Sequence, residues 1–302
     1  MRKYSLMTEK VLAPKRHYAV HILPKFLFLI MMIMTCSLFT SCHSGQNEDP
    51  YIGLQLWSVR DAMNADPSAT LKEIADMGYS FIEAAGYRDG LFYGMEPEAF
   101  RALVESHGLD FLASHATKHI NPDESFDDHM LWWEKCIDAH KRAGAQYIIQ
   151  ASLGPVAYES LEGLQQYIDY FEAVGAKCSE KGIRFGFHNH ANEFSKLDGH
   201  VMYDYMLQNT SPENVFFQLD LYWIIVGGAD PVDYFNKYPG RFLLLHVKDY
   251  AELGTSGEID FEYIFANSGE SGAKYLVVEV EEYNYSPLES VRRSLDYLLT
   301  IL

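Results

Sequence analysis

VFFQLDLYW (residues 215–223), FLLLHVK (242–248) and YLVVEVE (275–281) are the stretches that decide the fold of this chain. Each is a short run rich in β-branched and aromatic residues, apolar on both faces until its last positions. A strand with two apolar faces is covered on both sides, as in a parallel sheet wrapped by helices. Five more runs of the same kind precede them: YIGLQLW (51–57), SFIEAAG (80–86), DFLASHA (110–116), QYIIQAS (146–152) and RFGFHNH (184–190). They recur at intervals of roughly 30 residues, the length of a strand, a helix and two loops.

Between the strands lie helix signatures. DPSATLKEIADMG (66–78) opens on an Asp-Pro pair that suits a helix start and closes on a glycine. EPEAFRALVESHG repeats the pattern, and DPVDYFNKYPG (230–240) and SPLESVRRSLDYLLTIL (286–302) serve the later units. Gly78, Gly108, Gly144, Gly182 and Gly272 each stand shortly before the next strand, where a left-handed helix end is needed. An open doubly wound sheet would show a glycine-rich phosphate turn after its first strand, and QLWSVRD is not one. The expectation is therefore an α/β chain: one (β/α)8 TIM barrel over residues 51–302.

The first forty residues read differently. Arg2, Lys3, Lys10, Lys15, Arg16 and Lys25 face one acid, Glu9, and an apolar run from Phe26 to Phe39 follows. A basic start, a short apolar core and small residues before a cleavage point describe an export signal. The run is too short for a lasting span to be favoured. LFTSC, ending at Cys42, resembles the lipobox of bacterial lipoproteins. That resemblance implies a signal peptide over 1–41, a lipid on Cys42, a tether over 42–50, and an exported protein held to the bacterial envelope, on its periplasmic or cell-surface side, by its lipid alone. Six of the 24 basic residues and one of the 42 acids precede Cys42, so the remainder carries 18 against 41, a net charge of −23. Such a surface repels phosphate backbones and argues against nucleic acid as a partner. Cys136 and Cys178 fall in helical patterns and are expected to be buried free thiols. Homo-oligomerisation is compatible with the sequence.

Polar residues gather where the strands end. In a barrel those ends face the active site. The first strand ends on Gln55 and Trp57, with Arg60 beyond; the second carries Glu83; the third His115, with Lys118 and His119 following; the fourth Gln150. The fifth carries His188 and His190, then Glu193; the sixth Gln218, Asp220 and Tyr222; the seventh His246, Lys248 and Asp249; the eighth Glu279 and Glu281. Alternation places Asp220, His246 and Glu279 at similar depth on three successive strands. Charges inside a barrel mouth are costly unless paired or bound to metal. Carboxylates with an imidazole form a hard, mixed oxygen and nitrogen site, suited to Mn²⁺, Mg²⁺, Co²⁺ or Zn²⁺. Glu83 can instead pair with Arg60 or Lys118, and Trp57, Tyr222 and Trp223 can be packing residues. His107, His129, His140 and His200 fall on helices or loops and are expected to face solvent.

GLQLWSVRD, FIEAAGY, FHNHANEF, QLDLYW, YPGRFLLLHVKD and VVEVEEY together resemble the xylose isomerase-like TIM barrels, which include sugar phosphate isomerase/epimerases and endonuclease IV. The resemblance implies a divalent metal held by Glu, Asp, His and Glu from successive strands. Asp220, His246 and Glu279 match the last three. At the first, relatives carry Glu-Asn where this chain reads His188-Asn189. Either Glu193 curls back as the ligand, which a hard metal favours, or His188 takes its place.

A metal there polarises a hydroxy-ketone while a base removes the neighbouring proton. Glu193, Glu279, His188 and His190 are the acid and base candidates. Gln55, Trp57, Glu83, His115, Gln150, Tyr222, Lys248 and Glu281 are expected to bind substrate. The expected function is isomerisation or epimerisation of a sugar through an enediolate. A keto-glycoside lyase or dehydratase and a non-catalytic sugar-binding lipoprotein are the alternatives. Export points away from phosphorylated sugars, which are largely cytoplasmic, towards an unphosphorylated sugar or keto-sugar.

Overall fold

The structure is a computed structural model that describes residues 51–302. The stretches expected to be an export signal and a tether, and Cys42 as the expected lipid site, lie outside the described residues. Eight parallel strands form a closed barrel: β1 (Ile52–Gln55), β2 (Phe81–Ala84), β3 (Asp110–His115), β4 (Tyr147–Gln150), β5 (Arg184–His188), β6 (Val215–Asp220), β7 (Phe242–Lys248) and β8 (Tyr275–Glu279). Each pairs with the next in sequence, and β8 closes on β1 with Gly53 opposite Val277. All eight coincide with the runs read from sequence, and closure excludes the open doubly wound sheet.

Some runs end earlier than their composition suggests. Asp220 accepts a hydrogen bond at 2.8 Å from the Trp223 N–H and so starts a helix, Leu221–Val226, that takes Tyr222 and Trp223 out of the strand. Likewise Gln55 Oε1 accepts from the Trp57 N–H at 3.0 Å and turns the chain into a 3-10 segment. The helices obey their end signals. Asp66 accepts from the Ala69 N–H at 3.0 Å, Pro67 follows, and Gly78 ends the helix at φ 104°.

Inside the barrel the side chains form layers. Tyr147 on β4 and Tyr275 on β8 stand on opposite strands, yet their rings lie 5.6 Å apart, so both point into the lumen. Phe81 and Phe216 complete this aromatic plug through contacts of 5.9 and 5.6 Å with Tyr275 and Tyr147. Gly186 makes room for it: a Cβ there would meet the Phe216 ring at 2.5 Å. One pleat above, the inward residues turn polar. The β2–β3 register slips between Ile82 and Glu83 and the β6–β7 register between Phe217 and Gln218. Such irregularities re-aim side chains beside functional sites.

A larger apolar core separates the barrel from its helices. His129 and His140 are buried against it, contrary to the expectation that they face solvent, with their rings 5.9 and 4.8 Å from those of Tyr170 and Phe92. On helix Phe126–Ala143 they share one face with Trp133, Cys136 and Ile137, and tertiary packing covers that face. His140 Nδ1 bonds the Cys136 carbonyl at 2.7 Å, and burial pushes its pKa down to about 4, so it is accommodated as a neutral ring. Cys136 and Cys178 are free and buried. Among the described residues no helix is long and apolar enough to cross a membrane.

Candidate active site

Glu83 occupies the centre of the polar layer. It is fully buried, and donors from four strands converge on it. Gln55 Nε2 on β1 lies at 2.7 Å, His115 Nε2 on β3 at 3.0 Å, Gln218 Nε2 on β6 at 2.8 Å and His246 Nε2 on β7 at 2.7 Å. Burial alone would raise the Glu83 carboxyl, but the charges and hydrogen bonds of His115 and His246 hold it well below the usual range. It is therefore an anion that holds polar groups from opposite sides of the barrel together. Neither Arg60 nor Lys118 reaches it: Arg60 bonds the Tyr283 hydroxyl at 2.8 Å, and Lys118 pairs with Glu124 at 2.5 Å.

Above this layer Asp220, His246 and Glu279 come together. His246 Nδ1 lies 3.7 Å from Asp220 Oδ2 and 3.4 Å from Glu279 Oε2, and one donor atom from each residue falls within 4.8 Å of the others. Asp220 spends Oδ1 on its helix cap, leaving Oδ2 buried without a partner, and His246 Nδ1 is likewise buried and unpartnered. Buried polar atoms are rarely left so, and two that converge with a carboxylate match what a divalent cation requires. The donor set thus fits a metal, with His246 presenting Nδ1 because Nε2 is engaged by Glu83. His115, His188 and His246 form a second candidate cluster, but His115 Nε2 is already shared with Gln218 and Glu83.

The two candidates for the remaining ligand lie differently. His188 Nε2 stands 3.9 Å from Asp220 Oδ2, and burial with the neighbouring cationic groups keeps its pKa well below the ordinary imidazole value. Glu193 is buried in the turn after β5, where one oxygen accepts from the Tyr158 hydroxyl and the other from the His190 N–H at 2.8 Å. Both of its oxygens are therefore engaged away from the cluster.

A cavity of about 480 Å³ opens beside these groups, lined among others by Trp57, His115, His188, His190, Glu279 and Glu281. Trp57 is 45% exposed, with the Arg60 guanidinium 4.9 Å from its ring centroid. Glu279 meets Lys248 Nζ at 3.2 Å, and Lys248 also pairs with Glu281. Burial opposes charge on both Glu279 and Lys248. Even so, Lys248 and His246 hold Glu279 well below the carboxylate range, and Glu279, Asp220 and Glu281 hold Lys248 above the usual lysine value. Of the other residues expected to touch substrate, Gln150 braces two loops, accepting from the Lys118 N–H at 3.1 Å and donating to the Ser152 carbonyl at 2.9 Å. Tyr222 packs on Trp223 and Tyr250, with ring centroids at 4.6 and 4.7 Å.

Sequence reasoning missed Tyr87 and Ser152, which also line the cavity. Tyr87 sits in a hairpin with Leu91–Phe92, whose turn holds Asp89 at φ 50° and Gly90 at φ 90°. The Asp-Gly pair was its available signal. Ser152 left no such mark. The loop after β4 brings its hydroxyl to 3.0 Å from His119 Nε2.

Comparison with known proteins agrees with this architecture. A profile of the family described as xylose isomerase-like TIM barrel matches residues 71–301. A solved sugar phosphate isomerase/epimerase from Parabacteroides distasonis is 31% identical, superposes with a TM-score of 0.77, and the match covers 82% of this chain and 97% of that one. A solved protein named IOLI, with a zinc atom bound, shares the fold at 13% identity and a TM-score of 0.67, over 83% of this chain and 98% of that one. An inosose dehydratase of Geobacillus kaustophilus is 20% identical over 209 residues, 63% of this chain and 66% of that protein, so the match spans just under two thirds of the relative. The chain belongs to the xylose isomerase-like TIM barrel family.

Proposed function

We propose that this chain is a metal-dependent enzyme that removes a proton next to the carbonyl of an unphosphorylated sugar or keto-sugar, and that its reaction is an isomerisation or epimerisation. One observation carries the reading. Two buried, unpartnered donor atoms, Asp220 Oδ2 and His246 Nδ1, converge with Glu279 beside a cavity that Glu279 itself lines. Asp220, His246 and Glu279 would hold the cation, with His188 as the fourth ligand. A divalent cation supplies there the Lewis acidity that polarises a carbonyl and stabilises charge growing on its oxygen.

The chain's own residues do the rest. Glu279 takes the proton on its carboxylate, and Lys248 keeps that carboxylate ionised at neutral pH. A carboxylate with so low a pKa is a weak base and suits a proton already made acidic by the polarised carbonyl. His190, on the β5 side of the cavity, returns the proton. Trp57 offers its exposed ring to an apolar sugar face. Among the described residues lining the cavity none is Lys or Arg, while Glu279 and Glu281 are present, a poor setting for a phosphate.

Elimination is the second reading, as a dehydratase or keto-glycoside lyase. The similarity to inosose dehydratase favours it. So does the asymmetry of the site, with a carboxylate on β8 and the His190 imidazole just after β5. Unlike partners suit removing a proton at one carbon while protonating a departing oxygen at the next. The metal-loaded protein incubated with ketoses, inososes and 3-keto-glycosides in D₂O separates the readings. Deuterium at the α-carbon with retention of the whole sugar supports isomerisation or epimerisation. Loss of water or aglycone with a new conjugated carbonyl supports elimination. No incorporation into any of them, with binding retained, leaves a sugar-binding protein.

The proposal includes export and anchoring through Cys42, on the strength of the LFTSC sequence. C42A should move the protein from the membrane fraction to the soluble one. Unchanged fractionation removes that part.

A further inference from the structure

Glu83 does not line the cavity and has no solvent exposure, so substrate does not reach it. Its contacts lead elsewhere. Gln55 accepts from the Trp57 N–H through Oε1, so the amide nitrogen is what it turns towards Glu83. Gln218 likewise donates through Nε2 and offers Oε1 to His115 at 2.8 Å. Around an acceptor-only carboxylate, His246 Nε2 at 2.7 Å carries a proton. With Nε2 protonated, the lone pair of a neutral His246 ring is on Nδ1, the atom that faces Asp220 and Glu279. An imidazole whose far nitrogen donates to a carboxylate is fixed in tautomer and ring angle and is a more basic ligand.

We propose that Glu83 is the positioning residue of the metal site: it locks His246 with its proton on Nε2, so that Nδ1 is the ligand atom, and it ties that ring to β1, β3 and β6 through Gln55, His115 and Gln218. This rests on the metal-dependent reading above and deepens it. It moves Glu83 from the substrate, where its place at a strand end had put it, to the support of a ligand. The β2–β3 register slips just before Glu83, and its carboxylate stands within reach of donors on four strands.

The test begins with the wild-type protein, labelled with ¹⁵N-histidine and loaded with Zn²⁺. Long-range ¹⁵N–¹H correlation should show His246 bound to zinc through Nδ1 and protonated at Nε2. Zinc on Nε2 overturns this inference while leaving the metal reading intact, and failure of the wild type to take up zinc overturns both. Zinc affinity is then measured by chelator competition. E83A should weaken it by about 10–100-fold, the loss typical when the carboxylate behind a histidine ligand is removed. E83Q keeps the side-chain volume and one acceptor oxygen for His246, and it should recover part of that loss. A variant that folds, by circular dichroism, and binds zinc as the wild type does removes the positioning role.

Discussion

Asp220 Oδ2 and His246 Nδ1 face each other at 3.7 Å across the β6–β7 pair, both buried and both without a hydrogen-bond partner. Asp220 serves two structures at once, because its other oxygen caps helix Leu221–Val226. D220N keeps an oxygen for the cap and loses the anionic donor. Metal affinity should therefore collapse while the melting temperature of the metal-free protein stays close to wild type. D220A removes the cap too and should cost about 1 kcal/mol more in stability. Equal melting curves for the two variants would show that the cap contributes nothing.

Proton binding should compete with metal binding. Burial works against a charged His246, but the carboxylates of Glu83, Glu279 and Asp220 around it raise its pKa well above the ordinary imidazole value in the metal-free protein. A ring that coordinates through Nδ1 must first release that proton. Metal affinity should thus rise with pH across neutrality. Calorimetry at pH 7 in buffers of different ionisation enthalpy should detect close to one proton released per metal. No dependence on the buffer would contradict it.

The same shifts set the pH stability of the metal-free protein. His246, with its folded pKa raised, adds stability below its unfolded pKa and loses it as pH climbs through the folded value. Glu83 and Glu279, both lowered, add stability above the unfolded carboxylate range and lose it as pH falls through their folded values. Stability from these groups is greatest between the ordinary carboxylate and imidazole pKa values. Chemical denaturation across pH checks this, and a steady gain towards alkaline pH would refute it.

His188 and Glu193 can be told apart. H188A should lower metal affinity by at least about 10-fold, the lower end of the loss typical when only a group behind a ligand is removed. E193Q should leave affinity near wild type but loosen the turn that carries His190, because the Tyr158 and His190 contacts lose a charged acceptor. The opposite pattern would make Glu193 the ligand.

Trp57 lines the cavity and keeps 45% of its surface exposed. W57A should raise KM by about 5–10-fold, matching an aromatic contact of about 1 kcal/mol, with a smaller change in kcat. The melting temperature should hardly move. A large fall in melting temperature at unchanged KM would make the ring a packing element instead.

Taken by itself, the sequence was enough for the barrel. Both faces of each strand are buried, so YLVVEVE and its counterparts are apolar on both faces until their last positions, and the helix-ending glycines at φ values from 72 to 104° punctuate the units between them. It was also enough to place Asp220, His246 and Glu279 at strand ends, because alternation is a local property. Three matters were decided only by the tertiary structure. Glu83 meets His246 and Gln218 across the barrel, over 163 and 135 residues of chain, a contact that no local pattern encodes. His129 and His140 are buried because neighbouring elements cover their face of the helix, which neither residue's chemistry announces. The direction of Glu193 depends on a hydroxyl 35 residues away on Tyr158, which draws the carboxylate into its own turn. Periodicity tells which way a residue points from its own backbone; what it meets there is set by closure of the barrel.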